Sequence, residues 1–126
     1  MMAQPIRVLI ADDSARARSG LRDLLATWPE IMVVGEAANG QDALDQVVEC
    51  RPDVVLMDLH MPVLDGVQAT RLIKQRWPEI IVIVLTMYTL EQTNALAAGA
   101  DAFVIKGGTY ERLLSALGVM VTSDKP

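Results

Sequence analysis

Short apolar runs and longer amphipathic stretches alternate along the whole chain. Ile6-Arg7-Val8-Leu9-Ile10-Ala11, Val54-Val55-Leu56-Met57, Ile80 to Leu85 and Ala102 to Ile105 are rich in Val and Ile, and polar residues close each run. Runs of this length read as strands of a parallel sheet buried on both faces. Between them, Leu21, Leu24 and Leu25 fall at i, i+3, i+4, and Ala43, Leu44, Val47 and Val48 form a second helical stripe. The pattern predicts strands over about 6–11, 31–37, 53–57, 80–85 and 101–105, and helices over about 14–27, 40–50, 65–77, 90–98 and 109–121. Gly40 and Gly66 stand near helix starts, and Gly99 where a helix should stop. Trp28-Pro29-Glu30-Ile31 and Trp77-Pro78-Glu79-Ile80 repeat one helix-to-strand junction. Proline disfavours helical geometry in the residue before it, so each Trp should end its helix. Strict alternation of the two element types argues for a parallel sheet covered on both faces, with right-handed crossovers.

Composition narrows the class. At 126 residues the chain is one domain with a sizeable core, and 52% hydrophobic residues with a mean hydropathy of +0.30 exclude disorder. No apolar stretch is long enough to span a bilayer, and Met1-Met2-Ala3-Gln4-Pro5 has no apolar signal region, so a cytoplasmic protein without membrane attachment is expected. A single Cys50 forms no internal disulfide, in keeping with a reducing compartment. A net charge of -5 argues against this segment gripping nucleic-acid phosphates by itself. Residues 122–126 lose periodicity and turn polar, so the folded domain is expected over 1–121 with a linker beginning after it.

The strand ends carry the chemistry. Asp12 and Asp13 close the first run, Asp58 the third, Thr86 the fourth and Lys106 the fifth. In an open parallel sheet all C-terminal strand ends lie on one edge, where ligand sites form. Two unit charges about 4 Å apart repel by roughly 4 kcal/mol at an effective dielectric near 20. Three converging carboxylates therefore call for a compensating cation, and an all-oxygen site suits a hard ion such as Mg2+. An aspartate there can act as a nucleophile toward phosphorus, with the cation and Lys106 offsetting phosphoryl charge and Thr86 donating a hydrogen bond. Taken singly, each residue has a simpler account: Asp12, Asp13 or Ser14 as a helix cap, Asp58 as a strand-ending loop residue. Five polar residues at four strand ends of one sheet favour the site.

These residues also carry a resemblance. Val8-Leu9-Ile10-Ala11-Asp12-Asp13-Ser14, the nine-residue stretch Asp58-Leu59-His60-Met61-Pro62-Val63-Leu64-Asp65-Gly66, Leu85-Thr86 and Phe103-Val104-Ile105-Lys106 occur in the order found in the receiver domain of bacterial two-component response regulators. The chain resembles that family over essentially its full length, and Gly99-Ala100-Asp101-Ala102-Phe103 to Gly107 is most similar to the NarL/LuxR branch. The resemblance implies a flavodoxin-like, doubly wound α/β fold with five parallel strands in the order 2-1-3-4-5. It implies Asp58 as phosphoacceptor from a sensor histidine kinase. It also implies Mg2+ held by Asp13, Asp58 and the backbone carbonyl of His60, with Asp12 acting mainly through water. Thr86 would move toward the phosphoryl group, Lys106 would pair with it, and Phe103 would occupy the aromatic switch position where Tyr is common. The domain would be a switch and not an enzyme in its own right. Its outputs would be dimerisation on phosphorylation and DNA binding through a C-terminal domain, or, alternatively, stand-alone chemotaxis-type signalling.

Two rivals are weaker. A nucleotide or flavin module needs free backbone donors after a strand, where this chain has Asp12-Asp13. An aspartate-nucleophile phosphatase should carry an acid two residues after its nucleophile, where this chain has His60. His60, the only histidine, reads as a solvent-facing loop residue, Cys50 as a small partly buried one, and Arg16, Arg18 and Arg22 as a solvated helix face.

Overall fold

The structure, a computed structural model, describes residues 4–106, 112–113 and 115–118. Five strands, β1 (Ile6–Ala11), β2 (Ile31–Ala37), β3 (Val54–Asp58), β4 (Ile81–Thr86) and β5 (Ala102–Ile105), form one sheet in the order β2-β1-β3-β4-β5, every pair parallel. Helices α1 (Ala15–Ala26), α2 (Gly40–Cys50), α3 (Gly66–Arg76) and α4 (Gln92–Ala97) cover it, with helical residues again at 112–113 and 115–118. The expected order and class are present. The rest of the helix expected over 109–121 and the linker expected at 122–126 lie outside the described residues.

Period-2 alternation sorts the strands into two cores. Leu9, Ala11, Val55, Met57, Val82 and Val84 face α2, α3 and α4, where Ala43, Val47, Ala69, Ile73 and Ala95 meet them. Val8, Ile10, Val54, Leu56, Ile83, Leu85 and Val104 face α1 and Leu113 and Leu117. Every residue of β3 is buried, which explains its uninterrupted apolar run. Full burial of each large aliphatic side chain contributes about 1.5–3 kcal/mol, so the two cores fix the strands, and with them their ends.

Several boundaries move for physical reasons. Asp58 and Thr86 are the last residues of β3 and β4, since their backbones pair with Leu85 and Ile105 in the ladder. The helix expected over 90–98 is shorter: a 3-10 turn, Thr89–Glu91, precedes α4. α1 ends at Ala26, two residues before Trp28, because Thr27 folds its hydroxyl onto the Leu24 carbonyl at 2.7 Å. Trp77 caps the end of α3. Val48, placed by its spacing on the apolar stripe of α2, is 58% exposed, since the stripe is wider than the face the sheet covers. Arg18 and Arg22 are not a solvated face: both pair with Glu36 of β2, at 3.1 and 2.5 Å.

Two glycines let helices begin flush against neighbouring backbone. The Gly40 N–H donates to the Leu64 carbonyl at 2.8 Å, and the Gly66 N–H to the Leu59 carbonyl at 2.9 Å. A Cβ at 40 would lie 2.0 Å from the Leu64 carbonyl oxygen, and one at 66 would lie 2.1 Å from that of Asp58. Between them Val63 holds φ of 70°, and the Leu64 N–H closes a tight turn onto the Pro62 carbonyl at 2.8 Å. Gly66→Ala and Gly40→Ala should each cost about 2–3 kcal/mol, the scale of overpacking a core. Gly20→Ala, with nothing within 4 Å of the new Cβ, should instead stabilise by about 0.8 kcal/mol. Urea denaturation of the three variants checks the contrast in sign.

Candidate functional site

The C-terminal edge of the sheet gathers the expected residues. Ser14, and neither aspartate, caps α1: its hydroxyl accepts the Ala17 N–H at 3.1 Å, and its own N–H donates to Asp12 Oδ1 at 2.9 Å. The Asp12 N–H continues the ladder to the Ala37 carbonyl at 2.9 Å, which holds this residue at the end of β1, and Asp12 is buried. Asp58 is also buried, and Asp13 is exposed. One carboxylate oxygen from each of Asp12, Asp13 and Asp58 lies within 4.8 Å of the others.

Lys106 reaches this cluster from the far side of the sheet. Its Nζ donates to Asp12 Oδ2 at 2.5 Å and stands 3.6 Å from Asp58 Oδ1. The Lys106 N–H donates to the Thr86 carbonyl at 2.7 Å, so the ends of β4 and β5 are tied together. From α1, Arg18 Nη1 donates to the Asp12 carbonyl at 2.6 Å. Burial pushes the Asp58 carboxyl above its usual value; Lys106 opposes the rise, and the Asp12 and Asp13 charges add to it. Burial alone would lower Lys106, but its hydrogen bond to Asp12 and the Asp58 charge carry it upward. The donor set is three carboxylates with the nearby loop backbone, one of them open to solvent. Such a hard, anionic, half-open arrangement fits a divalent cation of the Mg2+ kind.

Thr86 is fully buried at the end of β4, but its hydroxyl is engaged elsewhere. Oγ1 donates to Glu91 Oε1 at 2.7 Å and accepts the Tyr88 N–H at 3.3 Å. Glu91 Oε1 also accepts from the imidazole of His60, Nε2 lying 2.8 Å away. Burial would raise the Glu91 carboxyl, but the hydrogen bonds from Thr86 and His60 outweigh it and hold it below the usual range. His60 is a solvent-facing loop residue, as expected, and it has a partner in Glu91. Its ring meets that of Tyr88 edge to face, centroids 5.6 Å apart, and its backbone N–H leans toward Asp58 Oδ1 at a long 3.4 Å. Phe103 is partly buried in the core on the α2–α4 side, opposite Val84 in the ladder. Glu91 was invisible in the sequence, since an acid at the start of a helix reads as a favourable dipole contact and nothing more.

Among the described residues, one cleft borders these elements and another lies apart from them. An open groove of about 570 Å³ runs between the loop after β3 and α4, lined by His60, Asp65, Arg71, Glu91 and Asn94. The other, about 520 Å³, lies at the opposite edge of the sheet among Val47, Val48, Trp77 and Ile80, away from the acid cluster. No helix among the described residues is long and apolar enough to cross a membrane.

Comparison with known proteins agrees with this geometry. The profile of the response regulator receiver domain matches residues 8–118. The transcriptional regulatory protein YhcZ of Bacillus subtilis (strain 168) is 45% identical over 111 residues, covering 86% of this chain and 52% of that protein. The response regulator protein VraR of Staphylococcus saprophyticus is 41% identical over 115 residues, covering 90% of this chain and 55% of that one. A glutamate methylesterase of Carboxydothermus hydrogenoformans is 42% identical over 114 residues that make up only 34% of its length. Among solved structures, a LuxR-family two-component response regulator from Aurantimonas sp. SI85-9A1 superposes with a TM-score of 0.89 at 31% identity, over 95% of this chain and 87% of that one. The chain spans about half the length of the transcriptional regulators it matches.

The electrostatics of the cluster yield a prediction about stability. The folded chain binds the Asp58 proton more tightly than the unfolded chain does, so this group favours the fold at low pH. That contribution is lost as pH rises through the raised folded value. Asp58→Asn should therefore raise the melting temperature at neutral pH in metal-free buffer, and the gain should vanish below the ordinary aspartate value of 3.8. Lys106 has the same sense in a higher pH window: its contribution is complete below the ordinary lysine value of 10.5 and is lost as pH rises through the folded value. Lys106→Met should cost about 3 kcal/mol at neutral pH, because it leaves Asp12 charged, buried and unpaired. Melting curves of both variants across pH test the two signs together.

Proposed function

The chain belongs to the response regulator receiver domain family, and on that premise we propose that it is a phosphorylation-controlled signalling switch in which Asp58 accepts a phosphoryl group from a sensor histidine kinase. One observation carries the reading: the Asp12, Asp13 and Asp58 carboxylates converge within 4.8 Å, with Lys106 beside two of them, at the edge of a parallel sheet. A buried carboxylate with a lysine to hold it ionised is a competent nucleophile toward phosphorus.

The step is a simple exchange. An Asp58 carboxylate oxygen forms a bond to phosphorus as the phosphorus–nitrogen bond of the kinase's phosphohistidine breaks, and the imidazole leaves. Asp13, Asp58 and the His60 carbonyl, with Asp12 mainly through water, would hold Mg2+, which would supply neutralisation of phosphoryl charge. Lys106, already 3.6 Å from Asp58, is placed to donate to a phosphoryl oxygen as well. Thr86 is the second donor, provided its hydroxyl turns from Glu91. Phe103 then repacks behind Thr86 on the α4 side of the sheet, and the surface of α4 and β5 changes with it. The transcriptional regulators among the relatives support an output through a C-terminal DNA-binding domain, and dimerisation on phosphorylation belongs to the same proposal.

Asp58→Asn should abolish labelling by acetyl phosphate, since an amide cannot accept the group, and chelation of Mg2+ should abolish it in the wild type. Intact mass spectrometry decides both; an adduct of equal yield on the Asn variant would put the acceptor elsewhere. Phe103→Ala should leave labelling intact but remove the beryllofluoride-induced NMR shift changes of α4 and β5. Wild-type shift changes in that variant would make Phe103 a core residue and not a switch.

A further inference from the structure

The hydroxyl of Thr86 carries one proton and can donate one hydrogen bond at a time. In this structure that bond goes to Glu91 Oε1 at 2.7 Å, and Thr86 is fully buried, so water cannot serve as a substitute acceptor. Glu91 has no competing task at its own helix end. It occupies the residue before α4 but makes no side-chain hydrogen bond to the helix backbone. Its Oε1 instead gathers Thr86 from β4 and His60 from the loop after β3, the loop that begins at Asp58. A single carboxylate oxygen thus joins the end of β4, the loop after β3 and the start of α4.

We propose that Glu91 is a positioning residue of the switch, a latch that holds the Thr86 hydroxyl outward until a phosphoryl group on Asp58 competes for it. The inference rests on the reading of Asp58 as phosphoacceptor and of Thr86 as its hydroxyl donor. Donation to Glu91 and donation to a phosphoryl oxygen exclude each other, so phosphorylation must break the Thr86–Glu91 bond. Glu91 then keeps only its exposed contact with His60, and the 3-10 turn Thr89–Glu91 loses its tie to the sheet. The latch therefore lowers the population able to receive the phosphoryl group and couples its arrival to movement of the turn and α4.

Calorimetric titration with beryllofluoride and Mg2+ tests this on the whole chain. Glu91→Ala should tighten beryllofluoride binding roughly five- to tenfold, the population shift expected for removal of one hydrogen bond of ordinary net strength to a partly exposed carboxylate. Glu91→Gln, which keeps a weaker acceptor in place, should give a smaller gain. In a Thr86→Val background, Glu91→Ala should give no further gain, because there is no hydroxyl to release. If the wild type binds beryllofluoride and Glu91→Ala binds it equally or more weakly, the latch is wrong, even where melting shows that Glu91 stabilises the fold. An equal gain in the Thr86→Val background overturns it too. A wild type that takes no beryllofluoride at all overturns the phosphoacceptor reading and the latch with it.

Discussion

The ion pair between Lys106 and Asp12, Nζ to Oδ2 at 2.5 Å, is the contact on which the crowded edge of the sheet depends. Asp12 is almost completely buried and Asp58 nearly so, and a solvent-poor carboxylate without a partner is costly. Lys106 offsets one charge directly and a second at longer range. To do so it must leave β5 and reach across the ends of β4 and β3 to that of β1. That reach is possible only because the sheet order sets these strands side by side and because the Lys106 amide is fastened to the Thr86 carbonyl. The fold's topology and the site's electrostatics are one constraint: the strand order decides which charges meet at this edge.

The loops that follow β1, β2 and β3 carry the remaining precision. Ser14 caps α1, Asn39 caps α2 and Asp65 caps α3, each through a side-chain oxygen on a backbone N–H. Because these residues satisfy the helix starts, Asp12, Asp13 and Asp58 are left for the cluster. Gly66 permits α3 to begin against the Asp58 carbonyl itself, so the position of Asp58 is set by backbone packing. Such a site is expected to be rigid where the acids lie and costly in stability, since burial and neighbouring aspartates both disfavour ionised Asp58.

Much of this was legible in the sequence, and the exceptions share a cause. Apolar runs ending in Asp12, Asp58, Thr86 and Lys106 announce buried parallel strands, and parallel strands bring their ends to one edge, so the acid cluster follows from local pattern, while the strand order came with the family resemblance. What local pattern cannot carry is pairing between elements distant in the chain. Arg18 and Arg22 look like a wet helix face until β2 brings Glu36 between them. Val48 continues a helical stripe that the sheet is too narrow to cover. Glu91 and His60 are 31 residues apart, and only the return of β4 beside β3 makes them partners.

The same geometry explains why a signal should leave through α4 and not through its neighbours. α1, α2 and α3 each bury at least two residues against the sheet and start on a side-chain cap. α4 is six residues long, buries Ala95 alone, and has no side-chain cap; Leu90 just before it is 93% exposed, and Leu96 within it is 47% exposed. With so little apolar surface to anchor it, its position is set by a few polar contacts, and segments of that kind open at the lowest free-energy cost. The Thr86–Glu91–His60 chain is the polar contact at its leading end. On the proposed reading, a charge change at Asp58 that redirects one hydroxyl acts on the least anchored of α1 to α4, while the cores on either side of the sheet stay as they are.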